Sequence, residues 1–304
     1  MPTVWAQQPR FEAVVAGQSV FGCMILPLST PTVDWFTPDA HSIEPQPNSI
    51  RDLASSPGRP VYAVAGGKIF TIQPDGTRAL FFDSATSLQA VTVASNGRIF
   101  ARAATTLSVI SSAGVLEATH ALPSALGMIA VANDSCTIYY DTFGPQIGRI
   151  NGCTGVVLPD FPPMLSSFMD LHPLPNGNVL IATDSAIVLY DVSGSVIRTI
   201  ATTADYSLSD VYSFQQVAAS PDSQTLYIAA MNWCGDTPGP SSLLLTALME
   251  DGSEQSRREM PNTNAALALV VGSASFAGVP TTSETALLIL ALVLAFGGAF
   301  ILKR

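Results

Sequence analysis

The residues of this chain that could do chemistry are few. There are four cysteines (Cys23, Cys136, Cys153 and Cys234) and three histidines (His41, His120 and His172). No two cysteines form a C-x-x-C pair, so neither a zinc knuckle nor a dithiol redox motif is supported. Cys136 and Cys153 instead flank the turn-like segment TFGPQIG. If Thr137–Asp141 and Ile147–Asn151 pair antiparallel, the two thiols face each other at the base of a hairpin. An oxidising compartment would then join them; the alternative is two unrelated buried thiols. Cys23 and Cys234 receive no role.

Catalytic signatures are missing. The sequence contains no H-E-x-x-H, no G-x-S-x-G, no Walker loop and no G-x-G-x-x-G. PDGT at Pro74–Thr77 lacks the D-x-D-x-D spacing of a calcium loop and reads as a hairpin turn. The expectation is therefore a protein without catalytic residues.

The elements that must position any site follow from a repeat. Five segments, starting at Asp52, Ala90, Gly127, Met169 and Gln216, share one order of features. A short apolar strand meets a polar turn at Pro57-Gly58, Asn96-Gly97, Asn133-Asp134, Asn176-Gly177 or Asp222-Ser223. A second strand follows: Val61–Ala65, Ile99–Ala103, Thr137–Asp141, Val179–Thr183 or Leu226–Ala230. A third strand leads to a glycine turn at Gly76, Gly114, Gly152, Gly194 or Gly252, and a fourth strand closes the unit. Four short strands in about 40 residues is the pattern of a β-propeller blade. Tandem β-sandwiches would need units of about 100 residues. Two apolar pieces remain, FEAVVAGQSVFGCMILPL near the start and NAALALVVGS from Asn264. Together they would make a sixth blade, its inner strand from the C-terminal piece. The fold expected is thus all-β, a propeller of about six four-stranded blades over residues 12–272, with five or seven as alternatives.

The repeats resemble NHL-type propellers of bacterial envelope proteins, most clearly in LPNGNVLIATDSAIVLYDVSGSVIRTI and in DSCTIYYDTFGPQIGRINGCTG. The resemblance implies a fold, not an activity. Two propeller chemistries are weighed against it. A zinc lyase would need His41, His120 and His172 to converge, and they stand in three different contexts. A calcium-dependent lactonase would need side chains such as Asp170, Asp210 and Asn133 gathered at one mouth of the channel. This channel-mouth enzyme is the alternative function, and calcium is the one cofactor it would bring.

The C-terminal segment directs the compartment. Val279–Glu284 is polar and proline-bearing, Ala286–Leu302 is an unbroken apolar run of 17 residues, and Lys303 and Arg304 follow. As a helix the run covers about 25 Å, the short end of a bilayer span, with stop-transfer charge behind it. The segment resembles the IPTL-CTERM sorting signal, a relative of PEP-CTERM. Val279, Pro280, Thr281, Ser283 and Glu284 fit its motif, while Thr282 and Thr285 stand where Leu and Trp are usual. The resemblance implies export across the inner membrane, an exosortase-type membrane peptidase as partner, and cleavage near the motif. It leads to the cell surface or the medium, in company with exopolysaccharide. An ordinary tail anchor is the plainer reading. Residues 273–285 would be linker and motif, and 286–304 the transmembrane helix with its basic end. At the other end, Val4-Trp5-Ala6 before Gln7-Gln8 reads like the end of a signal peptide, so residues 1–11 are taken as its remnant.

Composition agrees with an exported all-β protein. Charged residues are 12% of the chain, and Lys68 and Lys303 are the only lysines. Without the segment from Val279 onward, 11 basic and 22 acidic residues remain, a net of about −11. Such a surface repels phosphate backbones and argues against nucleic acid as a partner. The function expected is a non-catalytic binding or scaffold protein of the envelope. Its candidate binding loops are Phe143–Gln146, Asp160–Phe168 and Asn232–Ser242. Trp233 in the last is a candidate exposed anchor, or equally a buried aromatic beside Cys234.

Overall fold

The computed structural model describes residues 11–19, 32–36, 41–45, 51–56, 59–72, 78–123, 128–142, 146–162, 168–206, 212–220, 223–232, 242–249, 252–261 and 263–273. The chain divides into two units, Met1–Ala274 and Ser275–Arg304, and every described residue lies in the first. The sorting motif, the apolar run, Lys303 and Arg304 therefore lie outside the described residues, as do Cys23, Trp233, Cys234 and Asp210. Among the described residues no helix is long and apolar enough to cross a membrane.

The described residues are all-β apart from one 3-10 turn at Thr203–Tyr206, and form six four-stranded antiparallel sheets. Sheet B holds β4 (Asp52–Ala54), β5 (Val61–Ala65), β6 (Lys68–Ile72) and β7 (Arg78–Asp83). Sheet C holds β8 (Ala90–Val93), β9 (Ile99–Ala103), β10 (Thr106–Ile110) and β11 (Leu116–Ala121). Sheet D holds β12 (Ile129–Val131), β13 (Thr137–Asp141), β14 (Ile147–Asn151) and β15 (Val156–Phe161). Sheet E holds β16 (Asp170–Pro173), β17 (Val179–Ala182), β18 (Ala186–Tyr190) and β19 (Val196–Thr202). Sheet F holds β20 (Tyr212–Ala219), β21 (Thr225–Asn232), β22 (Ser242–Met249) and β23 (Glu254–Pro261).

Sheet A joins the two ends of the repeat region, as the leftover apolar pieces imply. β24 (Thr263–Ser273) pairs with β1 (Phe11–Ser19), which pairs with β2 (Thr32–Phe36) and then β3 (His41–Pro45). The register is long, from Phe11 opposite Ser273 to Ser19 opposite Thr263, with one irregularity between Ala16 and Gln18. Among the first strands, β24 lies against β4, β4 against β8, β8 against β12, β12 against β16, β16 against β20, and β20 against β24. This is a β-propeller-like arrangement.

Burial follows from strand position and from the two-residue period of a strand. The second strands β5 and β9 are wholly buried, because both their faces meet another sheet. Alternate side chains enter opposite seams. Ile99 and Ala101 pack with Tyr62 and Val64 of sheet B, whereas Phe100 packs with Ile138 and Tyr140 of sheet D. Tyr139 turns the other way, to Leu171, Ile181 and Tyr190 of sheet E. Leu180 and Ala182 then face Phe214, Val217 and Ile228 of sheet F. The fourth strands β7, β11 and β15 lie at the sheet edge and carry most of the exposed side chains. An apolar run buried on both faces thus reads as a continuous hydrophobic string rather than an alternating one.

The β13–β14 hairpin forms with Thr137 opposite Asn151 and Asp141 opposite Ile147. Cys136 and Cys153 are joined across its base, with Cα atoms 5.3 Å apart. The turn expected at Gly152 spans residues 152–155. In sheet D the glycine in the left-handed region is Gly155 (φ 78°), not Gly152. Gly152 serves a different need: a Cβ there would lie 2.7 Å from Phe100 Cε1 and 2.8 Å from Ile138 Cγ1. It lets the sheet C aromatic close over the seam. Gly152→Ala is therefore expected to cost about 1–3 kcal/mol through overpacking, measured as a shift in urea midpoint at constant slope.

Candidate functional site

Each hairpin order places two kinds of loop at the start of the first strands: the second-to-third turn and the connection arriving from the preceding sheet. Asp141, the last residue of β13, donates its backbone N–H to Met128 O just before β12. Asn232, the last residue of β21, lies opposite Tyr212, the first of β20. The sequence-predicted loops Phe143–Gln146, Asp160–Phe168 and Asn232–Ser242 thus all attach at this end. Residues 143–145, 163–167 and 233–241 within them, Trp233 included, lie outside the described residues.

A cavity of about 420 Å³ runs along the first strands, walled by β4, β8, β12, β16 and β20. Its polar lining includes Asp52, Gln89, Thr92, Asp141, Asp170, His172 and Gln216, with exposed Arg51 at Asp52's shoulder. Asp52 and Asp170 hold equivalent places, each the first residue of its sheet's first strand. Asp52 Oδ1 accepts from Leu53 N at 2.9 Å and its Oδ2 from Val91 N of sheet C at 2.7 Å. Asp170 Oδ2 accepts from Val217 N of sheet F at 3.0 Å. Thr92 makes the same kind of link from sheet C to sheet D, its Oγ1 accepting from Val131 N at 3.1 Å.

These carboxyls sit where charge is costly. Desolvation raises the Asp52 pKa well above the ordinary value, against a hydrogen bond from Val91, and the Asp170 charge raises it further. Desolvation likewise pushes Asp170 up to about 7, its hydrogen bonds from Val217 and Leu171 opposing. Two residues along β16, burial pulls His172 down to about 4, so its imidazole is neutral at pH 7.

Behind the wall lies Arg102 on β9, with no exposure to solvent. Its Nε donates to Ala104 O at 3.1 Å and its Nη1 to Met128 O at 3.2 Å, tying sheet C to sheet D. Burial lowers its pKa, while Asp141 and Tyr140 oppose that shift. Asp141 is in turn raised by desolvation and lowered by Arg102.

Of the histidines, His172 lines the cavity and His120 does not. His120 is on outer strand β11, where its Nε2 lies 3.0 Å from Gly152 O at the next sheet's turn. His41 begins outer strand β3. The calcium set is also parted. Asn133 Nδ2 donates to Pro175 O at 2.8 Å, in the turn beyond the far end of β16 from Asp170. The two residues belong to opposite ends of the first strands, and Asp210 lies outside the described residues. Among the described residues no group of three or more His, Cys, Asp or Glu is placed to hold a metal ion.

Sequence reasoning missed Asp52, Gln89, Arg102, Asp141 and Gln216. A signal for Asp52 was present: Asp52-Leu53 and Asp170-Leu171 open equivalent strands of two repeats. Nothing local marks Arg102 as buried.

The Asp170 environment carries a pH signature. Its folded pKa of about 7 lies above the ordinary 3.8, so the folded state holds the proton more tightly. Stability is then greatest in acid with respect to this group, and falls as pH rises from about 4 to about 7. Asparagine keeps an acceptor for Val217 N–H and removes the charge. Asp170→Asn is expected to match the parent near pH 4 and to exceed it near pH 8 by on the order of 2 kcal/mol. Urea titrations at the two pH values check this; equal midpoints at pH 8 would contradict it.

No family model matches this chain. A comparison with curated proteins also finds no match. Among solved structures, the chain is similar to a protein of unknown function from Bacteroides caccae, with a TM-score of 0.61 and 13% identity. The match covers 86% of this chain and 98% of that one, so the two share a fold over nearly the whole of the Bacteroides protein.

Proposed function

We propose that this chain is an exported, envelope-associated, closed six-bladed β-propeller that binds or scaffolds without catalysing. Its C-terminal sorting signal delivers it, and an exosortase-type peptidase at the inner membrane processes it. The ring is shut by β24, which supplies the first strand to a sheet whose other three strands come from the N-terminal region. The observation that carries the reading of compartment is the Cys136–Cys153 bridge, since structural disulfides persist where the surroundings are oxidising. Support for a binding role comes from the cavity along the first strands, with loops attached around one of its ends. An envelope polymer such as an exopolysaccharide is the partner the sorting resemblance suggests.

Intact mass of the native protein from membrane and secreted fractions tests this. The expected chain starts at Gln7, ends within Val279–Glu284 and takes up at least two more alkyl groups after reduction than before it, at Cys136 and Cys153. A membrane form retaining Met1, Lys303 and Arg304, with free thiols at positions 136 and 153, would overturn it.

A further inference from the structure

We propose that one end of the six-sheet body rests against a lipid bilayer, through exposed aliphatic side chains beside the turns into its fourth strands. This rests on the reading of Ala286–Leu302 as a membrane segment, and it sets which end of the body faces away from the membrane.

The aliphatic side chains are confined to one part of each sheet. Among the described residues the exposed large hydrophobics all lie on β7, β11, β15 and β19 or in the turns leading into them. Six of them form adjacent pairs, Val115-Leu116, Val156-Val157 and Val196-Ile197, which follow Gly114, Gly155 and Gly194 within three residues. Farther along the same strands, exposed positions carry Thr119, Asp160 and Thr199. Threonine meets a strand's preference for β-branched residues and keeps a hydroxyl in water, so strand propensity alone does not call for valine beside these turns. Exposed apolar side chains repeated at one place on a body mark an interaction surface.

The register puts the three pairs at one end. Across its antiparallel sheet, Leu116 stands in one row with Val93. Val157 stands likewise with Val131, and Val196 with Pro173. Each of these partners is the last residue of a first strand. The turns at this end touch from sheet to sheet: Ser95 Oγ lies 2.9 Å from Ser135 Oγ, and Asn133 Nδ2 donates to Pro175 O at 2.8 Å. The pairs thus mark an arc over the neighbouring sheets C, D and E.

The polypeptide leaves the described body at the same end. β24 holds the first-strand place in sheet A and starts one residue after Pro261, which stands opposite Ser242 at the loop-bearing end of sheet F. Its last residue, Ser273, therefore lies at the end that carries the arc. In sequence only residues 274–285 separate Ser273 from Ala286, and 12 residues reach about 40 Å at full extension. So short a tether keeps the body at high effective concentration over the surface, and a contact too weak to anchor it still orients it. A bilayer interface takes in aliphatic side chains without needing a complementary shape. The loop-bearing end and its cavity then face outward, open to a partner.

The test is fluorescence of the full chain reconstituted at one copy per disc in phosphatidylcholine nanodiscs, with and without bromine on the acyl chains. This lipid is zwitterionic and does not repel a body whose net charge is about −11 without the segment from Val279 onward. Tryptophan is introduced as Val156→Trp in the arc. The control is Thr105→Trp, at an exposed turn between β9 and β10 at the opposite end. The emission of the parent is subtracted from both. Side chains of an interfacial apolar face sit about 5–10 Å into the headgroup–acyl boundary, within reach of the bromine. The emission added by Val156→Trp should be blue-shifted and should be lost in brominated discs, while that of Thr105→Trp stays red and unquenched. Val115→Trp and Val196→Trp should behave as Val156→Trp does. Emission from the arc that brominated lipid leaves unchanged, or equal quenching at both ends of the body, would overturn the proposal. A blue shift without quenching would do so as well, because protein rather than lipid would then cover the arc. A chain that does not enter the discs would sink the membrane reading of Ala286–Leu302 and this proposal with it, whereas entry without quenching sinks this proposal alone.

Discussion

Arg102→Met is expected to destabilise the protein by about 3–5 kcal/mol, the range for removing one partner from a buried charged network. The methionine chain fills most of the volume, so the loss is not chiefly a cavity effect. It leaves Ala104 O without the guanidinium donor and Met128 O with only the Asp141 N–H. It also takes from Asp141 the cation that lowers its pKa against desolvation. The pH dependence identifies the cause. Without Arg102 the Asp141 carboxyl is raised further, and a raised carboxyl stabilises by taking a proton as pH falls. The deficit against the parent should therefore be smaller at pH 5.5 than at pH 8. A second change, Asp141→Asn, should recover part of the loss at pH 8 and little at pH 5.5. Urea denaturation of the parent, the two single variants and the double variant completes the cycle. A pH-independent deficit would assign the effect to packing alone.

Breaking the Cys136–Cys153 bridge comes next in size. Cys136→Ser is expected to lower stability by about 2–4 kcal/mol under non-reducing conditions, because the cross-link closes a loop of 17 residues' separation. Reductant should bring the parent down to the level of the variant and leave the variant unmoved. The hairpin itself should survive, since the β13–β14 register and the Ile138–Ile150 pair do not depend on the sulfurs. Arg98 Nη1 lies 3.3 Å from Cys153 Sγ and its Nε pairs with Glu117 at 2.9 Å, both at the surface-facing side of this turn. That exposed pair contributes little by comparison. A parent whose melting is indifferent to reductant would show the bridge to be unformed in the native protein.

The sequence was most informative where structure is local. Second strands such as Val61–Ala65, Ile99–Ala103 and Thr137–Asp141 coincide with their observed bounds because β-branched and aromatic strings end at turn residues. The Cys136–Cys153 pairing was legible for the same reason: a hairpin of known length fixes which residues stand opposite. Which glycine of the sheet D turn takes the positive φ was not legible, because a glycine demanded by packing and one demanded by a positive φ look alike in sequence. In sheet D the two are three residues apart, and only Phe100, from another sheet, shows which is which.

The site was much less legible. Asp170 was singled out, but beside Asn133, which the turn after β12 carries to the other end of the first strands. Its actual counterpart, Asp52, belongs to a repeat three sheets away. Arg102 reads as one more charge in a strand, yet it is buried without exposure. Hydrophobic period, turn chemistry and hairpin register act over a few residues, and the sequence by itself therefore determined the strands, their grouping in fours and the disulfide. Which first strands share a cavity, and which charges are stripped of water inside it, depends on contacts between sheets far apart in the chain. Only the tertiary structure decided those, because desolvation is a property of the assembled surroundings and not of any one segment.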